Sequence, residues 1–438
     1  MKQNIVLLLV VITSILGYGY LGYFTNQSNA TANFIAYALC FVGYLILVKS
    51  DYSWKKLVIY TILVNLLFLV AIPSLSPDVY RFLWDGELVV QGIHPFAHTP
   101  HEIVNNNLME ITPYRNQLYQ QITELSKGNY SVYPTLNQIY FIIPAWLSDQ
   151  LLGSIVIMRL LLLLSTGLGS IFIVKLLDYL NLPRKRLFLF VMNPLLVVEG
   201  TGNLHFEGVM FVLLIGALYM FLANRTWNTS LLLSMAVNIK LTPLLILPYF
   251  AFLKNWKRSL VLIGGTLLLS GAFLVLLIWP SIIAHFWQSI DLYFTNFEFN
   301  SSFYRLVFSA LEPLYTYDTV KYVGPLLALL TFGIISGIAI KNAGTQNMLV
   351  NALFAYTIFM LFSATVHPWY VIVPLGISIF TNFRYMIAWS GLVFLSYFLY
   401  GTNTNGQVWI ILFEYTLVCL VFVLDMLDRR KNPSTLLK

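Results

Sequence analysis

The sequence predicts an all-α fold, a polytopic membrane helical bundle, and three observations carry that expectation. Of 438 residues, 58% are hydrophobic and only 10% are charged, against about 25% charged in an ordinary soluble domain. Apolar stretches long enough to cross a bilayer, about 20 residues each, recur along nearly the whole chain. The 25 Lys and Arg exceed the 18 Asp and Glu, giving a net charge of +7, but they are spread through short polar turns and form no basic module. The expected partner is therefore the lipid bilayer and not nucleic acid. Cys40 and Cys419 lie inside apolar runs, so a disulfide framework and a CxxC-type metal site are both excluded.

The first apolar run, Ile5 to Phe24, has the outline of a signal peptide with a small-residue site near Ala30-Thr31-Ala32. It is longer than a usual signal core and reads better as the first span. Further spans are expected at 32–48, 57–73, 152–176, 187–199, 207–223, 259–279, 320–340, 347–366, 368–380, 385–400 and 408–426. Segments 134–148 and 231–252 fit re-entrant or paired half-helices better than crossings, because Pro243 splits the second into two short arms. The total is about 11 to 14 spans, some short or re-entrant, in one integral membrane domain covering residues 1–438.

Charge sets the orientation. Eighteen of the 25 basic residues, among them Lys2, Lys49, Lys55, Lys56, Arg184, Lys185, Arg186, Lys254, Lys257, Arg258, Arg384 and Arg429, fall on one side of this map. That side is cytoplasmic by the positive-inside rule, with both termini on it. Arg81, Arg115, Lys127, Arg305 and Lys321 fall outside, and Arg159 and Lys240 lie within apolar sequence. The outer side also collects all six histidines and most acids, including Asp78, Asp85, Glu87, Glu207, Asp291, Glu298, Glu312 and Asp318. An active site is expected to face outward from the cell (inner) membrane.

Residues 74–133 form the one long connection, and loops of that length are commonly functional or disordered. The stretch from Ser76 to Val90 suits an amphipathic interfacial helix with Pro77 near its first turn. Asp78 and Asp85 are seven residues apart, which puts both carboxylates on one helical face beside Arg81, with Phe82 and Trp84 placed to anchor among headgroups. Arg81 is also spaced to pair with either aspartate. Asp78, where a span leaves the membrane, is the candidate general base towards a hydroxyl acceptor. Gly92 to Phe96 turns the chain sharply. His94, His98 and His101 have metal-like composition, but Pro95 and Pro100 interrupt any helix that would align them; the sequence specifies no cofactor, and a divalent metal stays open. Tyr114, Tyr119, Tyr130 and Tyr133 suit either the interface or stacking on sugar rings.

A basic residue at the centre of a span costs about 2.5 to 3.5 kcal/mol on insertion scales, so Arg159 and Lys240 should each face a partner in the interior. Lys240, next to the Pro243 break, fits either an internal ion pair or an anionic lipid headgroup. Between two apolar segments, Asn193 to Gly208 gathers glycines and polar groups, with His205 and Glu207 suited to hold a sugar or phosphate and Asn203 to cap the following helix. Arg305 and His367 stand at the outer boundary.

Asp78-Val-Tyr-Arg-Phe-Leu-Trp-Asp-Gly, Gly92-Ile-His-Pro-Phe, Tyr133-Pro134, Asn193-Pro194, Gly202-Asn-Leu-His205, Lys240-Leu-Thr-Pro243 and His367-Pro-Trp-Tyr occur in this order. The set, spanning about residues 76 to 375, resembles the bacterial polyprenol-phosphate-mannose-dependent mannosyltransferases of the GT-C glycosyltransferase superfamily. The resemblance implies transfer of a sugar, mannose by likeness, from a polyprenyl-phosphate donor to a glycan or glycolipid acceptor outside the cytoplasm. It matches Asp78 to the family's base and Asp85 to its second acid. His94 and Glu207 depart from the family's usual Asn and Asp. An inverting displacement needs cations on the leaving phosphate, for which Arg305, Lys240 and His367 are the candidates, with Arg81 a fourth if it does not pair internally. His205, Glu207, Trp84, His94 and Asn203 are the candidates for sugar or acceptor binding. No Gly-rich phosphate loop is present, so the donor is expected to arrive through the bilayer. An O-antigen ligase or polymerase and a lipid-linked oligosaccharide flippase are the rival readings.

Overall fold

The structure, a computed structural model, describes residues 2–275, 282–285, 287–289, 298–311, 319–342, 348–400 and 404–431. Asp291, Glu312, Asp318 and the side chain of Lys321 lie outside the described residues. Among the described residues the regular secondary structure is helical, apart from one isolated parallel bridge between Phe299 and Thr365. Six helices among the described residues are long and apolar enough to cross a membrane: Gln3–Tyr23, Ala30–Lys49, Leu151–Tyr179, Trp256–Leu274, Tyr322–Lys341 and Gly406–Arg429. A seventh arises if Leu196–Gly202 and Glu207–Leu222, bent by 108°, are one broken span. Most of the other predicted spans are shorter helices or helical pieces. The expected 57–73 span ends as a helix at Leu66, and Asn193-Pro194 limits 187–199 to a five-residue helix followed by a π-helical turn.

The N-terminal helices α1 (Lys2–Tyr23), α2 (Ala30–Lys49) and α3 (Trp54–Leu66) form their own cluster with Phe188, Val197 and Phe394. A larger core joins the 74–133 segment to the rest. That segment is folded, with helices α4 (Asp78–Val90), α5 (Pro100–Asn105), α6 (Pro113–Gln121) and α7 (Glu124–Lys127). Local chemistry starts three of them: Thr99, Thr112 and Thr123 each accept a backbone N–H of the following turn, and Glu102 closes a capping box on Thr99. Gly92 makes the predicted turn with φ +74°, a conformation only glycine adopts without strain.

Against expectation, α4 does not turn Phe82 and Trp84 outward to anchor among headgroups. Ten of its thirteen residues, Val79 to Leu88, are buried, Trp84 and Phe82 among them at 0% and 2% exposure. It packs on α8 (Thr135–Leu147), where Gly86 lies against the Phe141 carbonyl so closely that a Cβ would collide with it. Its polar face is covered too. Arg115 of α6 bonds Glu87 at 2.8 Å, and Arg81 donates to the carbonyls of Ser126 and Asn129. The amphipathic pattern thus marks a face buried against protein polar groups.

Pro243 breaks 231–252 as expected. The helix Thr226–Val237 stops before it, a 3₁₀ turn spans Thr242–Ile246, and a short helix follows at Leu247–Ala251.

Candidate active site

Three polar clamps on backbone bring the site together. Arg159, in the first third of the Leu151–Tyr179 helix and fully buried, spreads its guanidinium over four carbonyls: Leu69 at 2.7 Å, Ala71 at 2.8 Å, Thr201 at 2.8 Å and Gly202 at 3.0 Å. The first two belong to the strand of chain leading to Asp78, the second two to the π-helical turn leading to His205. The predicted partner of Arg159 is therefore backbone and not a carboxylate. Asn137 Nδ2, on α8, donates to the Ile239 carbonyl at 2.7 Å, and the Leu136 N–H donates to the carbonyl of Asn238, fixing the turn that presents Lys240.

Lys240 Nζ donates to Glu207 Oε1 at 2.7 Å and sits 3.7 Å from the centre of the Tyr370 ring. Glu207 is nearly enclosed, at 6% exposure, whereas the Lys240 side chain remains 33% exposed. An ammonium carries three donors, and Glu207 is the one hydrogen-bond partner described for this one. Asp78, the first residue of α4, is partly buried beside this pair, with Ser76 near its carboxylate. Burial is the largest effect and pushes Asp78 up from 3.8 to about 6; Lys240 opposes it and Glu207 adds to it. A carboxyl tuned towards neutral pH is suited to taking a proton.

A column of rings forms the adjoining wall. His205 stacks on Trp369 at 3.7 Å between centres, Trp369 on His367 at 4.3 Å, and His367 on Phe299 at 4.9 Å. Burial, with Lys240 nearby, pushes His367 down to about 3, so its imidazole is neutral near pH 7. The expectation that His367 supplies positive charge is corrected accordingly: it offers hydrogen bonding only. Beneath His205, Glu199 accepts from Tyr397 at 2.7 Å and from Asn203 Nδ2 at 3.0 Å, with His205 Nε2 at 3.7 Å. Asn203 does not cap the next helix, whose N-cap is Phe206; its side chain is occupied by Glu199.

Asp78, Lys240, Glu207, His205 and His367 are thus brought together, with Asn203 behind them. The other candidates, Arg305 excepted, stand elsewhere. Arg81 bonds Asp85 at 2.7 Å, both buried, and Asp85 is closed off further by Ser131 and Gln138. Arg81 therefore meets the condition that removes it from the phosphate group, and Asp85 sits in a closed structural network. Trp84 is fully buried against Tyr119. His94 accepts from the Phe96 N–H through Nδ1 and is pushed down by burial. Arg305 bonds Glu298 at 2.8 Å near the Phe299 end of the ring column. Among the described residues no three His, Cys, Asp or Glu side chains converge as a metal site; His98 and His101 lie near Glu102 and Glu124 instead. The sequence reading missed Glu199, although a lone acid after Leu195-Leu196-Val197-Val198 is a signal of a functional or paired group.

Buried bond networks and a carboxylate–ammonium cluster at the break of a bent helix define a polytopic helical protein with one built polar site. The profile of the alpha-(1->6)-mannopyranosyltransferase N-terminal domain family matches residues 20–257, more than half of the chain, and the chain belongs to that family. It is 24% identical over 206 residues to alpha-(1->6)-mannopyranosyltransferase A of Corynebacterium glutamicum, covering 47% of this chain and 39% of the relative. To the protein of the same name from Mycobacterium tuberculosis it is 23% identical over 193 residues, covering 44% and 35%. The matched segment thus spans under two fifths of the length of these relatives. No solved structure matches the chain.

Proposed function

We propose that this protein is a membrane mannosyltransferase that moves mannose from a polyprenyl-phosphate donor to a glycan or glycolipid acceptor on the non-cytoplasmic face of the cell membrane. The observation that carries the proposal is Asp78, a carboxyl raised to about 6 and set beside the Lys240–Glu207 pair, in a chain whose family bears the mannosyltransferase name. In the proposed inverting step, Asp78 takes the acceptor hydroxyl proton. The acceptor oxygen bonds the anomeric carbon, and the bond from that carbon to the phosphate oxygen breaks with its electron pair going to phosphate. Lys240 and Arg305 stabilise the leaving anion, with neutral His367 as a hydrogen-bonding group. His205 and Glu207 contact the sugar or acceptor. The site faces outward with both termini cytoplasmic, and the short apolar helices complete the larger span count.

The test is purified protein in liposomes with radiolabelled polyprenyl-phosphate mannose and a panel of glycan and glycolipid acceptors. Transfer of label supports the reading. Absence of transfer from every lipid-phosphate sugar, together with passage of lipid-linked sugar across the bilayer, would replace it with the flippase reading.

The same assay gives a pH prediction. A base must be ionised, so activity should fall as pH drops through about 6. Glu207 is one of the charges holding Asp78 up, so in Glu207→Gln the acid limb should move to lower pH. A limb that moves up, or does not move, counts against Asp78 as the titrating group.

A further inference from the structure

We propose that Glu414, a carboxylate buried in the final membrane-length helix, is a positioning residue that sets the ring column of the active site. Its kinetic consequence rests on the transferase reading above; its structural consequence does not. Glu414 is 0% exposed and flanked by Leu412, Phe413 and Tyr415 in the Thr404–Lys431 helix. An acid inside a membrane-length apolar helix is costly unless it is partnered, and such residues mark functional positions by default.

Its partners come from two other parts of the chain. Trp389 Nε1–H donates to Glu414 Oε1 at 2.8 Å, and Asn300 Nδ2 lies 3.3 Å from both carboxylate oxygens. The next residue, Tyr415, donates its hydroxyl to the Asn300 carbonyl at 2.8 Å. Two consecutive residues thus grip Asn300 by side chain and backbone. Asn300 itself takes a left-handed conformation, φ +49°, which asparagine tolerates better than most residues.

Asn300 is one residue from the site wall. The Phe299 N–H donates to the Ala364 carbonyl at 3.0 Å, and the Val366 N–H donates to the Phe299 carbonyl at 2.8 Å. These bonds lock Phe299 to the segment that carries His367, and the Phe299 ring lies 4.9 Å from His367 and 5.0 Å from Tyr400. From His367 the stack runs through Trp369 to His205. Glu414 therefore acts at a distance, on the angle at which one end of the column is held. A carboxylate accepts from Trp389 and Asn300 at once; leucine accepts from neither and leaves both buried donors unpaired.

The experiment compares wild type with Glu414→Gln, Glu414→Leu, Asn300→Asp and the Asn300→Asp/Glu414→Gln double variant, all in the full chain. A glutamine oxygen accepts from Trp389 while its NH₂ donates to Asn300 Oδ1, which accepts no bond among the described residues, once the asparagine amide rotates. Glu414→Gln should therefore stay within about threefold of wild type, and Glu414→Leu should lose about 10²-fold in kcat with little change in donor KM, the loss expected of misaligned reacting groups. Asn300→Asp sets two carboxylates against each other and should lose activity. The double variant should regain it, because the glutamine NH₂ then donates to the aspartate. Amide hydrogen exchange at Phe299 and Val366 is read in parallel and should quicken in Glu414→Leu.

Wild-type kcat in Glu414→Leu, or a double variant no better than Asn300→Asp alone, overturns the proposal. If Glu414→Leu does not fold, the Asn300→Asp pair of variants decides. If the wild-type chain transfers from no lipid-phosphate mannose, the transferase reading fails and the exchange rates alone decide the role of Glu414: unchanged protection at Phe299 and Val366 overturns it, faster exchange supports it.

Discussion

Asp78→Asn is expected to lower mannose transfer by about 10² to 10⁴-fold, the range that a positioned general base contributes, while leaving the protein folded. The two halves of this expectation rest on the same property. Asparagine keeps the shape and size of the side chain but accepts no proton, so the acceptor hydroxyl must attack without help. The stability half follows from linkage. Asp78 is raised in the folded protein from 3.8 to about 6, so below pH 3.8 folded and unfolded chains both hold the proton and the group is neutral to stability. As pH rises towards 6 the unfolded chain releases that proton first, and the folded state loses stability relative to it. At pH 7 the ionised Asp78 therefore weakens the fold, and Asp78→Asn should unfold at the same temperature as wild type or above it. Single-turnover transfer and thermal unfolding, measured on the same preparation, check both halves. Transfer within tenfold of wild type in folded Asp78→Asn would remove Asp78 as the base. Loss of activity together with loss of stability would point to a structural role.

Features written in neighbouring residues were legible in the sequence. Pro77 and Asp78 mark the start of α4, Gly92 its turn, and Pro243 the break beside Lys240; each acts within a few residues through backbone geometry. The choice between partners was not legible, because it depends on what the chain brings near. Lys240 had two readings, and the one realised joins it to Glu207, 33 residues away. Arg81 was spaced for both Asp78 and Asp85; the carbonyls of Ser126 and Asn129 hold it towards Asp85 and leave Asp78 to the site. Trp84 illustrates the limit of periodicity: an apolar stripe on a helix says that something apolar covers it, and the same pattern serves lipid and protein. The rings of His205, Trp369, His367 and Phe299 come from three separate regions, so no spacing rule predicts their column. Glu199 and Glu414 differ, since each is an acid within apolar sequence and so carried its own signal.

Arg159→Leu is expected to destabilise the fold by about 4 kcal/mol or more, the largest stability effect of any single side chain in the site's surroundings. Bonds to a charged donor contribute about 1.5 to 3 kcal/mol each, and a buried carbonyl left without a donor costs about 1 to 3 kcal/mol; four carbonyls lose their donor here. The sum is not additive, because the carbonyls of Thr201 and Gly202 are neighbours and relax together. Arg159→Lys should fall between the two, since one ammonium with three donors cannot span carbonyls in two separate segments that the planar guanidinium bridges. Activity should fall even where folded protein is recovered. The clamped segments are the ones that deliver Asp78 from one side and His205 with Glu207 from the other, so releasing them lets Asp78 drift from the Lys240–Glu207 pair, and for the proposed base a displacement of about 1 Å is enough to cost 10²-fold. Thermal unfolding in detergent and transfer by the folded fraction measure the two effects. Unchanged unfolding of Arg159→Leu would mean that water or rearranged backbone satisfies the four carbonyls equally well, and the account of Arg159 as the clamp that aligns the two halves of the site would have to be abandoned.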